Sequence, residues 1–515
     1  MKSQAARFLE LSLVLTSVVH VIAMFSMALL LMPALPGATT ANAARLEYIA
    51  GNPGLWHLGW LPWHVCAISD LLLAIALVKT NWVQKLPATI TLILTILAVA
   101  IGQPAELMWN IHGSELARIS LKMGTLGCYF EFEKVMFATV GAVATVFNAL
   151  MVYGLAWCIA SSITCSRALT FLAAVTGTLL LLTGAALLLP ATICPPQSVI
   201  VCSNAIGFCL MTLWLILASE AVLGRSRPEE RNGRMARWRH PRRDAFGKGL
   251  TAIGNSRLIR YVCEFIPPIK MISDIEDVVY INYLVDATKI EPLVPCGLEL
   301  QRLGPDKTLT LFSVLTYRHG HFGPAMLGHF RRMLPSPIQS NWRIYVRDQE
   351  GVAGIYFVTT AVTATIVSLG ARMMAEGLPM HVPQSGAVTR RGQEGIEVTL
   401  VSGSGSAPDL QAKLKACKRP EFKGAWKDCF DDFDSFLTYC VPQDRAISIQ
   451  PWYRQYTRQE IDLGITLTDC EPMSGEIISS AIDTIAGVGE SSVCFRVPKV
   501  SFAFKGATSS PIRLA

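Results

Sequence analysis

Long apolar runs fill the chain up to about Leu223, whereas shorter, alternating stretches follow from Gly224 onward. A bilayer core requires about 20 consecutive apolar residues in helical form. Runs of about that length lie near residues 9–34, 58–78, 87–103, 133–160, 168–191 and 199–223. We therefore predict an all-α bundle of six transmembrane helices, in which the segment 104–134 is a long loop.

Alternation of apolar and polar residues predicts β-strands in the second part of the chain. The segment "SNWRIYVRDQEGVAGIYFVTTAV" contains two such stretches, separated by a tight turn at residues 348–351. The segment "TATIVSLGARMMAEGLP" has helical spacing instead. Further alternating stretches lie at residues 386–402, 445–451, 460–467 and 493–504. Many strands around one clear helix predict an α+β domain built on an antiparallel β-barrel or cone.

Composition supports a division of the chain into a membrane part and a globular part. Hydrophobic residues make up 51% of the 515 positions, charged residues only 16%, and the mean hydropathy is +0.40. An ordinary soluble protein of this size is less apolar. We predict a six-helix transmembrane domain at residues 1–224, a basic juxtamembrane linker at 225–259 and a cytosolic domain at 260–515.

Positive charge is concentrated in the linker, where "GRSRPEERNGRMARWRHPRRDAFGKG" holds eight arginines and one lysine. Because such segments stay on the cytoplasmic side, we predict a multi-pass inner (plasma) membrane protein with both termini cytoplasmic. The cluster would also bind anionic lipid headgroups. No reading helix or aromatic base platform accompanies it, so no nucleic-acid partner is predicted. A cleaved signal ending at Ala41-Asn42-Ala43 is an alternative for the first helix.

The segment "GLWHLGWLPWHVCAISD", residues 54–70, leads into the second predicted helix. Its three tryptophans are typical of an aromatic belt at the lipid headgroups. Asp70 would lie inside the helix, where a carboxylate usually pairs with a neighbour. Two interpretations stay open: a structural hydrogen bond, or a proton or substrate site shared with His20 or His64. A haem or metal ion held by the histidines is a less favoured alternative.

Histidines and cysteines elsewhere form no recognisable cofactor motif. His319 and His321 would point the same way in an extended segment and His329 follows, but a flexible loop explains them equally well. Cys194 and Cys202 lie close enough in sequence for a disulfide on the outer side. The later cysteines contain no C-x-x-C pair. We therefore predict neither a bound metal nor a cofactor.

Four blocks of the second part resemble a known family. They read "LVDATKIEPLVPCGLEL", "NWRIYVRDQEGVAGIYFVT", "GARMMAEGLPMHV" and "FDSFLTYCVPQDRAISIQPWYRQYTR". In this order they resemble the uncharacterised YqjF-like bacterial proteins, which belong with acetoacetate decarboxylase in one fold superfamily. The resemblance implies an antiparallel β-cone whose interior holds a small, often acidic molecule, and it implies no reaction.

Schiff-base chemistry of the acetoacetate decarboxylase kind requires a lysine nucleophile. Between Lys307 and Lys413 the sequence contains no lysine. The strand that looks equivalent carries Arg343 instead, and a guanidinium stays protonated and cannot be the amine nucleophile. A Schiff-base decarboxylase is therefore not expected.

Alternation places Asn341, Arg343, Tyr345 and Arg347 on one face of the strand at 341–347. If this face points into the cone, Arg343 could hold a carboxylate or phosphate with both arms of its guanidinium, and Asn341 and Tyr345 would add hydrogen bonds. If it points outward, these residues form a solvated surface. His381, just after the predicted helix, is a further candidate for the ligand site.

These observations favour a polytopic membrane protein whose cytosolic domain binds or senses a small anionic molecule. Two alternatives stay open. One is a membrane-anchored enzyme, decarboxylase-like or hydrolase/dehydratase-like, that works without a Schiff-base lysine and uses Arg343 as an electrostatic clamp. The other is a transporter-like bundle regulated by the cytosolic domain. The sequence does not fix the oligomeric state or decide whether a reaction is catalysed.

Overall fold

The computed structural model describes most of the chain and divides it into two compact units, Met1–Ser226 and Arg227–Ala515. The described residues are all those outside 1–3, 37–41, 191, 227–236, 264, 267–268, 375–379, 393, 442–444, 451–454, 463, 488–490 and 512–515.

The first unit is entirely helical in its described part. Its helices are α1 (Gln4–Ser26), α2 (Asn42–Gly51), α3 (Pro53–Lys79), α4 (Lys85–Met123), α5 (Leu126–Phe137), α6 (Thr145–Leu155), α7 (Arg167–Ala186) and α8 (Gln197–Ser226). Shorter π-helical and 3-10 turns extend α1 and connect α5 to α6. Six segments are long and apolar enough to cross a membrane: Gln4–Ala34, Pro53–Lys79, Lys85–Met123, Leu126–Ile163, Arg167–Ala186 and Ser198–Arg225. The prediction of six apolar helices is confirmed.

The predicted loop at 104–134 is wrong, because α4 continues through Pro104 to Met123. Small buried residues at Ala105, Gly113 and Ala117 recur every four or eight positions and let this half of the helix pack closely against its neighbours. Gly124 then ends the helix with a left-handed backbone conformation, φ 67°. At about 1.5 Å per residue α4 is about 58 Å long, well beyond the roughly 30 Å of a bilayer core.

The aromatic-belt interpretation is also wrong for two of the three tryptophans. Trp56 and Trp60 are buried, with exposed fractions of 0% and 3%. Both pack against Trp109 of α4, with ring centroids 6.2 and 5.4 Å away. The indole Nε1 of Trp56 donates to the backbone oxygen of Asn110 at 3.2 Å. These rings join helices α3 and α4 instead of facing lipid headgroups.

The second unit contains a large sheet and short helices. Its strands are β1 (Met271–Asp286), β2 (Glu299–Leu300), β3 (Leu309–Pro324), β4 (Ile338–Arg347), β5 (Ala353–Val362), β6 (Met380–His381), β7 (Ser385–Arg391), β8 (Gly395–Val401), β9 (Leu410–Ala416), β10 (Arg445–Gln450), β11 (Gln455–Asp462), β12 (Glu471–Ile478) and β13 (Val493–Pro511). Its helices are α9 (Ala245–Gly254), α10 (Arg257–Cys263), α11 (Ala287–Ile290), α12 (Thr365–Met374), α13 (Ala425–Cys429), α14 (Phe433–Cys440) and α15 (Ser480–Ala486).

The strand order is β1-β3-β4-β5-β10-β11-β13-β12-β9-β8-β7, with β2 beside β4 and β6 beside β5. Strand β1 also pairs with β13. All pairings are antiparallel except those of β5 with β10 and with β6. The pairing of β1 with β13 joins the two ends of the path β1-β3-β4-β5-β10-β11-β13, whereas β12, β9, β8 and β7 continue the sheet beyond β13. The predicted α+β class with a mainly antiparallel sheet is confirmed, whereas a barrel closed by the sheet as a whole is not.

Part of the predicted linker belongs to the second unit. The indole of Trp238 is fully buried and donates to the hydroxyl of Ser368 on α12 at 3.0 Å. The side-chain amide of Asn255 donates to the backbone oxygen of Trp238 at 2.7 Å. The residues from 237 onward therefore fold onto the sheet domain instead of forming a free connection.

The predicted hairpin around the turn at 348–351 is confirmed by the antiparallel pairing of β4 with β5. Side chains of β4 alternate between two hydrophobic clusters, as a strand buried on both faces requires. Trp342 and Ile344 belong to one cluster, and Tyr345 belongs to the other, together with Phe436 of α14. This second cluster surrounds the candidate site.

Candidate functional site

The predicted polar face of β4 points into the domain. Asn341, Arg343 and Tyr345 lie on one face and are buried, with Arg343 only 2% exposed. On the neighbouring strand β3, Ser313 is directly opposite Arg343 in the register. Side chains that are paired in this way share a face of the sheet, so the two strands together build one buried polar surface.

The guanidinium of Arg343 is held by hydroxyl and carbonyl oxygens and by aromatic rings. Its Nη2 donates to the hydroxyl of Tyr345 and to the backbone oxygen of Cys440, each at 3.2 Å. The rings of Tyr280 and Tyr345 lie 5.5 and 5.4 Å from its central carbon. Its Nε is buried and has no hydrogen-bond partner among the described residues.

These contacts compensate the charge only in part. Cys440 is the last residue of α14, and the carboxyl end of a helix carries partial negative charge. The two tyrosine rings add cation–π attraction. Within the described part of the chain, Arg343 makes no ion pair with a carboxylate, which is the usual partner of a buried guanidinium.

A network of neutral groups lies next to the guanidinium. The hydroxyl of Tyr345 contacts Ser313 Oγ at 3.0 Å and Cys440 Sγ at 3.2 Å. Ser313 Oγ donates to Asn282 Oδ1 at 2.6 Å. Burial raises the pKa of the Cys440 thiol and raises the pKa of Tyr345 well above its usual value. Both groups are therefore protonated near neutral pH, and neither is an activated nucleophile.

A second chain of hydrogen bonds crosses the same face and ends at Tyr317. His319 contacts Ser273 Oγ through Nδ1 and Gln339 Oε1 through Nε2, both at 2.8 Å. Gln339 Nε2 donates to Asn341 Oδ1 at 2.8 Å, and Asn341 Nδ2 donates to the hydroxyl of Tyr317 at 3.0 Å. Burial lowers the pKa of His319 to about 4, so its imidazole is neutral near neutral pH.

The direction of this chain has a consequence for Tyr317. Since Gln339 Oε1 can only accept, His319 carries its proton on Nε2, as inferred from the network. Each following amide then donates toward the next residue, and the oxygen of Tyr317 accepts. The hydroxyl hydrogen of Tyr317 stays available as a donor, and this phenol interacts electrostatically with Arg343.

Sequence reasoning missed most of this second chain. The alternation of residues along β3 could have predicted it, because Ser313, Tyr317 and His319 are separated by four and two positions and therefore share one face of the strand. From the sequence, His319 is a candidate metal ligand or part of a flexible loop, whereas the structure places it in this hydrogen-bonded chain. His321 is half-buried and His329 is exposed, and the structure does not bring them together with His319.

Two predicted site residues lie elsewhere. Arg347 is exposed and donates to the backbone oxygen of Gly351 in the β4–β5 turn at 3.0 Å. His381 is fully buried, and in the register of the sheet it lies beside Ala361 of β5. Ala361 in turn lies opposite Ser340 of β4. That register places His381 on the opposite face of the sheet from Arg343.

In the first unit, the structure brings Asp70 and His20 together. His20 Nε2 lies 3.7 Å from Asp70 Oδ2, and its Nδ1 contacts the backbone oxygen of Thr16 at 2.9 Å. Both side chains are nearly buried: His20 is 4% exposed and Asp70 is 11% exposed. His64 instead faces α4, where its Nδ1 lies 3.0 Å from Gln103 Oε1. Cys194 and Cys202 are free thiols.

Comparison with known families gives a match within the second unit. Residues 273–462 match DUF2071, a family described as an uncharacterized conserved protein. The resemblance to the YqjF-like proteins is thereby confirmed for this region. No family matches the membrane half, and no curated protein matches the chain.

Solved structures with a similar arrangement share little sequence with this chain. The enduracididine biosynthesis enzyme MppR complexed with pyruvate is 12% identical, over 48% of this chain and 91% of that chain, with a TM-score of 0.33. An acetoacetate decarboxylase-like enzyme from Sphingomonas wittichii RW1 is 11% identical, over 48% of this chain and 95% of that chain, also with a TM-score of 0.33.

Proposed function

We propose that the DUF2071 region binds a small anionic molecule through Arg343, in a protein that the first unit anchors in the inner membrane with both termini in the cytoplasm. The observation that carries this proposal is the guanidinium of Arg343, which is 2% exposed and makes no ion pair with a carboxylate of the described chain. Buried charges are normally paired, because removing an ion from water costs several kcal/mol.

A bound anion would supply the missing charge. Carboxylates and phosphates accept paired hydrogen bonds from a guanidinium, and such charge-assisted bonds are about twice as strong as neutral ones. The hydroxyl of Tyr317 provides a neutral donor on the same face of the sheet. Binding or sensing is favoured over covalent catalysis, because burial keeps Cys440 and Tyr345 protonated and the sequence has no lysine between Lys307 and Lys413.

The test is ligand binding by the full-length protein in lipid nanodiscs, measured by isothermal titration calorimetry with pyruvate and with inorganic phosphate as probes. The substitution Arg343→Lys keeps the charge but removes the planar fork. We expect it to weaken binding about tenfold or more, which corresponds to about 1.4 kcal/mol.

Arg390→Lys is the matched control. Arg390 pairs with Asp277 through three hydrogen bonds, but its side chain is 57% exposed. The same change of chemistry at this position should leave binding unchanged. Equal affinities of wild-type protein and Arg343→Lys, with both folded, would contradict the proposal, as would heats of binding that only Arg390→Lys abolishes.

A further inference from the structure

The membrane half contains a hydrogen-bonded chain that runs from an exposed histidine to a largely buried carboxyl group. His57 Nδ1 contacts Asn110 Oδ1 at 2.8 Å, and Asn110 Nδ2 contacts His64 Nε2 at 3.2 Å. His64 Nδ1 contacts Gln103 Oε1 at 3.0 Å. Gln103 Nε2 donates to Glu106 Oε2 at 2.5 Å. Helix α3 supplies the two histidines and α4 supplies the other three residues.

Every link in this chain has one donor and one acceptor. Asn110 donates through its amide nitrogen, so His64 accepts on Nε2 and carries its proton on Nδ1. That proton points to Gln103 Oε1, and the amide of Gln103 in turn donates to Glu106. The chain therefore orients His64 with its Nδ1 3.9 Å from Glu106 Oε2. Only the side chain of Glu106 at the inner end is acidic.

A second carboxyl–imidazole pair lies on the same helix α3. Asp70 is 3.7 Å from His20 of α1, and its Oδ1 is buried without a hydrogen-bond partner among the described residues. The thiol of Cys66 interacts electrostatically with both Asp70 and Glu106. Cys66 lies between His64 and Asp70 in the sequence of α3, and α3 contacts both α1 and α4.

We propose that Asp70, His20, Glu106 and His64 form a proton-binding site in the membrane half, in which the two carboxyl groups take up and release protons. Ionisable groups within membrane-spanning helices are costly and usually mark proton or ion sites. Within the described residues, the titratable groups that face the two carboxyls are His20 of α1 and His64 and Cys66 of α3. On α4, the neutral amide of Gln103 faces Glu106.

A proton fits these groups better than a metal cation. His20 carries its proton on Nδ1, because this atom contacts the backbone oxygen of Thr16, and its Nε2 can therefore accept the proton of Asp70. Ca²⁺ and Mg²⁺ instead require six or more oxygen ligands. Protonation of Asp70 removes the cost of burying a negative charge at Oδ1, an oxygen that receives no hydrogen bond from the described residues. His57, at the other end of the hydrogen-bonded chain from Glu106, is exposed and lies near the start of α3.

The first experiment uses wild-type protein and needs no variant to fold. Dicyclohexylcarbodiimide reacts with protonated carboxyl groups in apolar surroundings and leaves an acylurea that peptide mass spectrometry locates. For the full chain in nanodiscs, we expect labelling of Asp70 or Glu106 that increases as the pH is lowered and that does not change when sodium chloride is exchanged for choline chloride. Absence of labelling at both residues over the whole pH range would overturn the proposal, and so would protection by sodium ions.

The second experiment is an infrared pH titration of the same sample, which records the C=O stretch of protonated carboxyl groups. Asp70→Asn and Glu106→Gln should each remove one component of this band, a component that shifts to lower frequency in deuterated buffer because the carboxyl proton exchanges, and the double variant should remove both. Glu115→Gln is the matched control and should leave these components in place, because Glu115 is on α4 but is exposed and pairs with Arg118. A band that is unchanged in the double variant would refute the site.

Discussion

Replacement of Arg343 by methionine separates a ligand-binding role from a structural role. If the role of Arg343 is to bind an anion, its charge is only partly compensated in the domain without ligand. Arg343→Met should then stabilise the domain. Replacement of buried ionic groups by apolar residues of similar volume is often neutral or stabilising by about 1–4 kcal/mol. If the protein itself satisfies the charge, the same substitution should destabilise the domain.

The contacts of Arg343 give the expected magnitude. The variant loses two hydrogen bonds of 3.2 Å and two cation–π contacts, worth about 1–3 kcal/mol for each charged hydrogen bond and about 0.5–2 kcal/mol for each ring. It recovers the desolvation cost of the ion, several kcal/mol, and the cost of the unpartnered Nε, about 1–3 kcal/mol. Tyr345 keeps its contacts with Ser313 and Cys440. The two sets of terms are of similar size, so we expect the variant to be as stable as the wild-type protein or more stable, as in other replacements of buried ionic groups by apolar residues.

Native-state hydrogen exchange of the full chain, read by mass spectrometry on peptides from β3 and β4, measures this change within the second unit. Arg458→Met is the control, because Arg458 pairs with the buried Asp348 and with Glu350. Its loss leaves a buried carboxylate unpaired and should cost about 3–5 kcal/mol. If Arg343→Met lost as much protection from hydrogen exchange as Arg458→Met, the inference that Arg343 binds a ligand would be refuted.

Two further predictions concern pH and topology. Burial lowers the pKa of His319 from its usual 6.5 to about 4, so on acidification the imidazole is protonated in the unfolded chain before it is protonated in the folded one. The contribution of the neutral imidazole to the free energy of unfolding is therefore complete above pH 6.5 and is lost as the pH falls through 4. Thermal unfolding of His319→Gln should depend less on pH over that interval. The native thiols Cys128 and Cys165 are both exposed, and in intact cells an impermeant maleimide should label Cys128 at once but Cys165 only after permeabilisation; the reverse order would invert the proposed orientation.

Local patterns predicted the elements of the fold but not all of the partners within it. Apolar run length sufficed for six helices, since the bilayer criterion depends on composition alone. It failed at Pro104, where the helix continues because tertiary packing of Ala105 and Gly113 outweighs the local cost of proline. Similarly, Trp56 looked interfacial by residue type, and only the position of Trp109 on the next helix shows that it is buried.

The candidate site shows the same limit. Alternation on β4 was enough to place Asn341, Arg343 and Tyr345 on one face, because the period of a strand is two. It could not show that β3 contributes Tyr317 to that face, since this depends on the register between strands. His381 was proposed from its position after a helix, and the β5–β6 pairing places it on the other face.

One buried ion pair of this chain shows how a charge with a purely structural role is compensated. Arg45 and Glu133 are both buried in the first unit and form an ion pair, and Arg45 Nε also donates to the backbone oxygen of Ala34 at 2.9 Å. Such a pair braces helices, because each charge satisfies the other. Arg343 has no carboxylate partner in the described chain, and Asp70 has an oxygen that no described group satisfies. An apolar side chain could fill either position at a lower cost, so packing alone does not account for these two residues. That contrast makes them the positions at which a ligand or a proton should be sought first.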